Sequence, residues 1–95
     1  MNNSLYFYVY ILLCNDGSYY VGQTEDLDAR IRQHNSGRAC RYTACRSPVK
    51  LVYHEEQMAY DAAVKRELQI KKWSKAKKRA LIEGNIGKLK ELSHR

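Results

Sequence analysis

The sequence predicts an α+β fold: a small three-stranded antiparallel sheet flanked by helices, in β-β-α-β-α-α order. Three observations carry that expectation. An aromatic and β-branched run, residues 6–13, meets a second short apolar run across Asn15-Asp16-Gly17, a strong hairpin turn. A third apolar run, residues 49–54, lies between stretches of helical periodicity. Finally, 95 residues with 44% hydrophobic and 28% charged content suit one globular domain, whose sheet needs helices to cover it.

Tyr6 to Leu13 reads as a buried strand. Ser18 to Val21 reads as its return strand, ended by Gly22. Thr24 or Asp26 can cap a helix over about 26–35, with Gly37 just beyond its end. Residues 37–49 form a basic loop with the chain's one proline, Pro48. Val49 to His54 makes the third strand. A long helix follows over about 58–73, then a short lysine-rich one over about 75–83, which Gly84-Asn85 breaks. Ile86, Leu89 and Leu92 suggest a last helical turn or two. The expectation is one domain over 1–95, with its core in about 6–82 and a helical tail over 84–95. No repeat or linker interrupts it.

Charge is the first clue to function. Seventeen Lys+Arg against ten Asp+Glu give +7, with a pI near 9.5. The excess is uneven: residues 1–37 carry −2, 38–50 carry +4, 51–64 carry −3 and 65–95 carry +8. Such blocks suit a polyanion partner. No apolar run approaches the ~20 residues of a membrane helix. Met1-Asn2-Asn3-Ser4 has neither a basic region nor a cleavage-type site, so a cytoplasmic protein is expected. Three cysteines, an odd count without a close pair, fit a reducing compartment. Cys40 and Cys45, weighed with His34 or His54, lack a second ligand pair at finger-like spacing, so no zinc site is expected. Cys14 reads as a small buried hydrophobe.

Three polar side chains fall on or beside apolar helical faces. At about 100° per residue, Arg30 and His34 are four apart and flank the Leu27/Ile31 stripe. With Tyr60 as the origin of the long helix, Glu67 falls in the middle of the apolar face. A buried carboxylate needs a cation, a metal or a proton. Pairing with Arg30 or a lysine inside a small core is the structural alternative, as stacking on a tyrosine is for Arg30 and a favourable helix C-terminus is for His34. The hairpin leaves two registers open. A two-residue Asp16-Gly17 loop puts Tyr10 and Tyr20 on opposite faces, whereas a three-residue Asn15-Asp16-Gly17 loop pairs Tyr10 with Gly22 and puts both tyrosines on one face.

These residues resemble the GIY-YIG nuclease domain, and most closely its short stand-alone bacterial members. Tyr8-Val9-Tyr10 stands where the family has GIY, and Tyr20-Val21-Gly22 where it has YIG. Arg30-Ile31-Arg32-Gln33-His34 resembles the family's Arg-x3-His helix, and Arg66-Glu67 the segment that carries its metal-binding glutamate. Gly37 to Thr43, followed by Pro48 to Tyr53, is similar to the stand-alone subfamily. The resemblance covers about residues 6–82. The first tripeptide departs from the pattern with Tyr8, and no clear equivalent follows Glu67 of the Asn that some family nucleases use, Asn85 lying beyond Gly84.

The resemblance implies metal-dependent hydrolysis of phosphodiesters, with Tyr10, Tyr20, Arg30, His34 and Glu67 converging, and it favours the three-residue loop. Glu67 is the implied ligand of one Mg²⁺ (or Mn²⁺), with waters and phosphate completing the shell. Arg30 is assigned to charge on the phosphoryl oxygens, Tyr20 to the base, and Tyr10 and His34 to orienting water and phosphate. Arg38, Arg41, Tyr42, Arg46, Lys71 and Lys72 are the candidate nucleic-acid contacts. DNA is expected ahead of RNA, recognised by backbone and shape, by a monomeric protein. Two other functions compete: a non-catalytic nucleic-acid-binding module on the same fold, and an interaction protein using the C-terminal helix.

Overall fold

The computed structural model describes residues 6–93. The Met1–Ser4 stretch read for targeting signals and residues 94–95 of the tail lie outside them. The sheet is antiparallel with order β2-β1-β3, formed by β1 (Phe7–Leu13), β2 (Tyr19–Thr24) and β3 (Lys50–Gln57). The helices are α1 (Leu27–Asn35), α2 (Arg41–Ala44), α3 (Tyr60–Lys71), α4 (Lys75–Glu83) and α5 (Ile86–Ser93). The fold is therefore the α+β architecture expected, with a four-residue helix added inside the basic loop.

The hairpin uses the three-residue loop. Cys14 N donates to Ser18 O at 2.8 Å, and Gly17 takes the left-handed conformation at φ 85°. The ladder then pairs Tyr10 with Gly22 and Leu12 with Tyr20. On the other side of β1, Ile11 pairs with Tyr53 but Leu12 pairs with Leu51, so Val52 is the extra residue of a β-bulge. Gly22 does not end β2, which continues to Thr24.

Alternation on β1 divides the core in two. Val9 and Ile11 pack with Val21, Ala63 and Ile70, and α3 and α4 supply much of that layer. Tyr10, Leu12 and Cys14 pack with Val49, Tyr20, Leu27 and Ile31, which places α1 on the opposite face. Local chemistry fixes α1 at both ends. The Asp26 carboxylate accepts from Ala29 N at 3.1 Å as the N-cap. Beyond the last turn Gly37 sits at φ 78°. The Asn35 side chain then accepts from Val49 N at 2.7 Å and ties the helix end to the start of β3. In α3 the residues that turn inward are Ala63 and Ile70. The inward stripe is centred on them rather than on Tyr60, which is 58% exposed. Glu67 thus lies at the margin of the stripe and is half-buried, not at its centre.

Candidate active site

The register that pairs Tyr10 with Gly22 sends the Tyr10 and Tyr20 side chains to the α1 face of the sheet. His34, one helical turn after Arg30, comes down on the same face and is buried. Its Nε2 lies 2.8 Å from the Tyr10 hydroxyl. The rings form a compact cluster. Tyr20 and His34 meet edge-on with centroids 5.0 Å apart, Tyr10 and His34 are 5.8 Å apart, and Tyr10 and Tyr20 are 6.4 Å apart. Tyr10 is almost wholly enclosed, while Tyr20 retains partial exposure.

Electrostatics link this cluster to Arg30 and Glu67. Burial pushes the Tyr10 phenol far above its usual range, with the Tyr20 phenol adding to the rise. Tyr20 is pushed up to about 12, first by burial and then by its hydrogen bond with Cys40. Burial holds His34 below 6.5, and the Arg30 guanidinium lowers it further. The charge of Arg30 thus acts on both phenols and on the imidazole, and that of Glu67 on both phenols. Among the described residues no carboxylate pairs with Arg30. A shallow cleft of about 410 Å³ opens beside Arg30, lined by Gln23, Gln33 and Tyr60 and by the acidic residues Glu25 and Asp26. Arg30 is the cation of that lining.

Glu67 forms an i,i+4 pair with Lys71 at 3.6 Å. Among the described residues no group of three or more His, Cys, Asp or Glu side chains could hold a metal ion. Zinc, which takes three or four protein ligands, does not fit such a donor set. A single half-buried carboxylate does fit Mg²⁺, which keeps several waters and shares its shell with substrate phosphate.

The candidate nucleic-acid contacts occupy several settings. Arg38 and Arg41 are exposed after α1 and on α2, and Lys71 and Lys72 are exposed at the end of α3. Tyr42 and Arg46 are more constrained. The Arg46 guanidinium stacks 3.9 Å from the centroid of Tyr42 and pairs with Asp16 at 2.9 Å. Tyr42 also lies 5.9 Å from Tyr20 and donates to Ser18 Oγ at 2.8 Å. Tyr42 and Arg46 together therefore brace the outer side of Tyr20 against the hairpin. Asn85 accepts from Lys88 N at 3.0 Å as a cap on α5.

Two residues of the site were not among the candidate site residues. Thr43, fully buried, lies 2.7 Å from His34 Nδ1 through its hydroxyl. Cys40 Sγ is 3.4 Å from the same hydroxyl. Burial raises the Cys40 thiol, but hydrogen bonds from Thr43, Tyr20 and the Tyr42 backbone outweigh it and leave the group below its usual value. Both residues depend on α2, too short for a periodic pattern to reveal.

Residues 6–80 match the model of the GIY-YIG catalytic domain. A UPF0213 protein of Staphylococcus epidermidis is 43% identical over 76 residues, 80% of this chain and 93% of the relative. A UPF0213 protein of Staphylococcus aureus is 45% identical over the same share of each. Two solution NMR structures are similar. The UPF0213 protein BH0048 from Bacillus halodurans is 41% identical, with a TM-score of 0.54 over 82% of this chain and 83% of that one. The protein EF2693 from E. faecalis is 35% identical, with a TM-score of 0.59 over 90% and 93%.

Proposed function

The chain belongs to the GIY-YIG family, and on that premise we propose that it is a metal-dependent endonuclease that hydrolyses phosphodiester bonds of DNA. One observation carries the reading. Tyr10, Tyr20 and His34 form a single cluster on one sheet face, and the charge of Arg30, which meets no carboxylate among the described residues, acts on all three. A cation acting on two phenols and a neutral imidazole is a setting for a phosphate and a proton transfer.

In this reading Glu67 holds Mg²⁺ or Mn²⁺. When bound, the ion polarises a phosphate oxygen and steadies the leaving oxygen. The Arg30 guanidinium neutralises charge on the phosphoryl oxygens as a water oxygen attacks phosphorus and the bond to the leaving oxygen breaks. Tyr20 as its phenolate takes the water's proton and becomes the phenol. With the phenol at about 12 in the free protein that phenolate is scarce near neutral pH, and the charge of Arg30 favours it. Tyr10, fixed by His34, orients the water. Arg38, Arg41 and Lys72 hold the nucleic-acid backbone by charge, giving recognition by shape rather than base sequence.

A second reading, a non-catalytic nucleic-acid-binding module, draws on the Glu67–Lys71 pair, which already gives the carboxylate a cation. A panel of labelled single-stranded, nicked, flapped and branched DNA, with structured RNA, separates the two. Cutting with Mg²⁺ or Mn²⁺ and none with EDTA supports the nuclease. Salt-sensitive binding with no cutting supports the binding module.

A further inference from the structure

Behind the ring cluster lies a buried chain of polar groups. His34 Nε2 meets the Tyr10 hydroxyl at 2.8 Å, His34 Nδ1 meets Thr43 Oγ1 at 2.7 Å, and Thr43 Oγ1 meets Cys40 Sγ at 3.4 Å. Every buried side-chain nitrogen and oxygen among the described residues has a hydrogen-bond partner. A neutral imidazole has one donor and one acceptor nitrogen. The Thr43 hydroxyl has one proton and two neighbours. Cys40 stands at the N-cap of α2 without a side-chain cap hydrogen bond, and its sulfur is the second neighbour of the Thr43 hydroxyl. A thiol sulfur can accept as well as donate, so the Thr43 proton has an acceptor there. The Thr43 oxygen is then left to accept from Nδ1–H.

We propose that Thr43 is a positioning residue of the nuclease site: its buried hydroxyl oxygen accepts the Nδ1–H of His34, so that Nε2 accepts the Tyr10 proton and the Tyr10 oxygen presents its lone pairs to the attacking water. Nothing else in the site chooses between the two tautomers, because a phenol can donate or accept equally well. Thr43 acts through His34 and never touches the substrate. It also joins α2 to the end of α1, which couples the basic loop to the site. The catalytic part of the proposal rests on the nuclease reading, whereas the hold on the imidazole does not.

The test compares wild type with Thr43→Val, which keeps the shape and removes the hydroxyl, and Thr43→Ser, which restores it. Long-range ¹H–¹⁵N NMR of the full chain reads the His34 tautomer without substrate, and cleavage of a labelled branched DNA with Mg²⁺ reads turnover. Wild type and Thr43→Ser are expected in the Nδ1–H form, and Thr43→Val is expected to lose it. Turnover should fall roughly 10–100-fold in Thr43→Val with little change in KM, and Thr43→Ser should recover most of it, the scale seen for outer hydrogen bonds that orient functional histidines. An Nε2–H tautomer in wild type overturns the proposal, as does Thr43→Val with the tautomer and turnover unchanged. Equal losses in both variants overturn it too, since the hydroxyl would then not be the group that matters. If wild type holds the Nδ1–H form through Thr43 yet cleaves nothing, the nuclease reading fails while the hold of Thr43 on the ring stands.

Discussion

A Cβ built on residue 22 would stand 2.5 Å from the phenol oxygen of Tyr10 and 2.6 Å from its Cζ, so the Tyr10 ring occupies the space that Gly22 leaves empty. The two residues are cross-strand partners. The glycine of the second half-motif is there for the tyrosine of the first. It allows the phenol to lie flat on β2 with its hydroxyl at His34 Nε2.

Gly22→Ala should therefore do two things. The enclosed ring has little room to shift, so overpacking should cost about 1–3 kcal/mol in denaturant unfolding. The displaced hydroxyl should also leave His34, and cleavage should fall with it. Adding Tyr10→Leu to the alanine variant should recover stability but not cleavage. Wild-type stability and activity in Gly22→Ala would contradict the packing argument.

His34 should stay neutral at pH 7. Burial and Arg30 hold its folded pKa below the unfolded value of 6.5. The unfolded chain therefore binds this proton more readily than the folded one. Its effect is to lower stability as pH falls from 6.5 through the folded pKa. NMR titration of the ring should give a midpoint under 6.5, and Arg30→Gln should raise it. A midpoint unmoved in Arg30→Gln would show that the guanidinium does not act on the ring.

Cleavage should carry the signature of a high-pKa base. With Tyr20 at about 12 in the free protein, the active phenolate is scarce at neutral pH. The rate should climb about tenfold per unit between roughly pH 7 and 9, and Tyr20→Phe should lose roughly 10²-fold and flatten the slope. A slope retained in Tyr20→Phe would assign the proton to another acceptor.

The ion pair on β3 should matter to stability and not to chemistry. Arg66 Nε meets Glu55 Oε2 at 2.8 Å, and Tyr53 and Gln57 also donate to that carboxylate. Burial raises Glu55, but these donors outweigh it and hold it below 4.5. Its contribution is present above 4.5 and lost as pH falls through the lower folded value. Arg66→Leu should cost about 1–3 kcal/mol, with cleavage per folded molecule unchanged. Loss of cleavage at full stability would place Arg66 in the site instead.

Much of this was legible in the residues. Strand chemistry in residues 6–13, the Asn-Asp-Gly turn and the caps at Asp26, Gly37 and Gly84 gave the element order. The hairpin register was open because both loop lengths satisfy the turn chemistry. Gly17 at positive φ and the Cys14–Ser18 closure select one. β3 runs to Gln57 because its last residues pair with Phe7, Tyr8 and Val9 of β1, and Arg66 satisfies Glu55 there. Gly22 looked like a strand end since its reason lies across the sheet in Tyr10. Glu67 looked central because Tyr60 is a large apolar residue, yet Tyr60 is exposed and its ring meets Phe7 at the rim. Thr43 lay in a stretch that resembles the stand-alone subfamily, but one turn of helix has no period to show its contact with His34.

The most direct measurement is cleavage of a labelled branched DNA by wild type and by Glu67→Gln, each with Mg²⁺ and with EDTA, with binding of both measured in parallel. Glu67 is half-buried and, among the described residues, pairs with the exposed Lys71, so the substitution should leave the fold intact. Metal-dependent cutting by wild type, lost in Glu67→Gln while binding persists, is the predicted result. Equal cutting by both proteins, or cutting that survives EDTA, would contradict a metal-dependent nuclease built on this carboxylate.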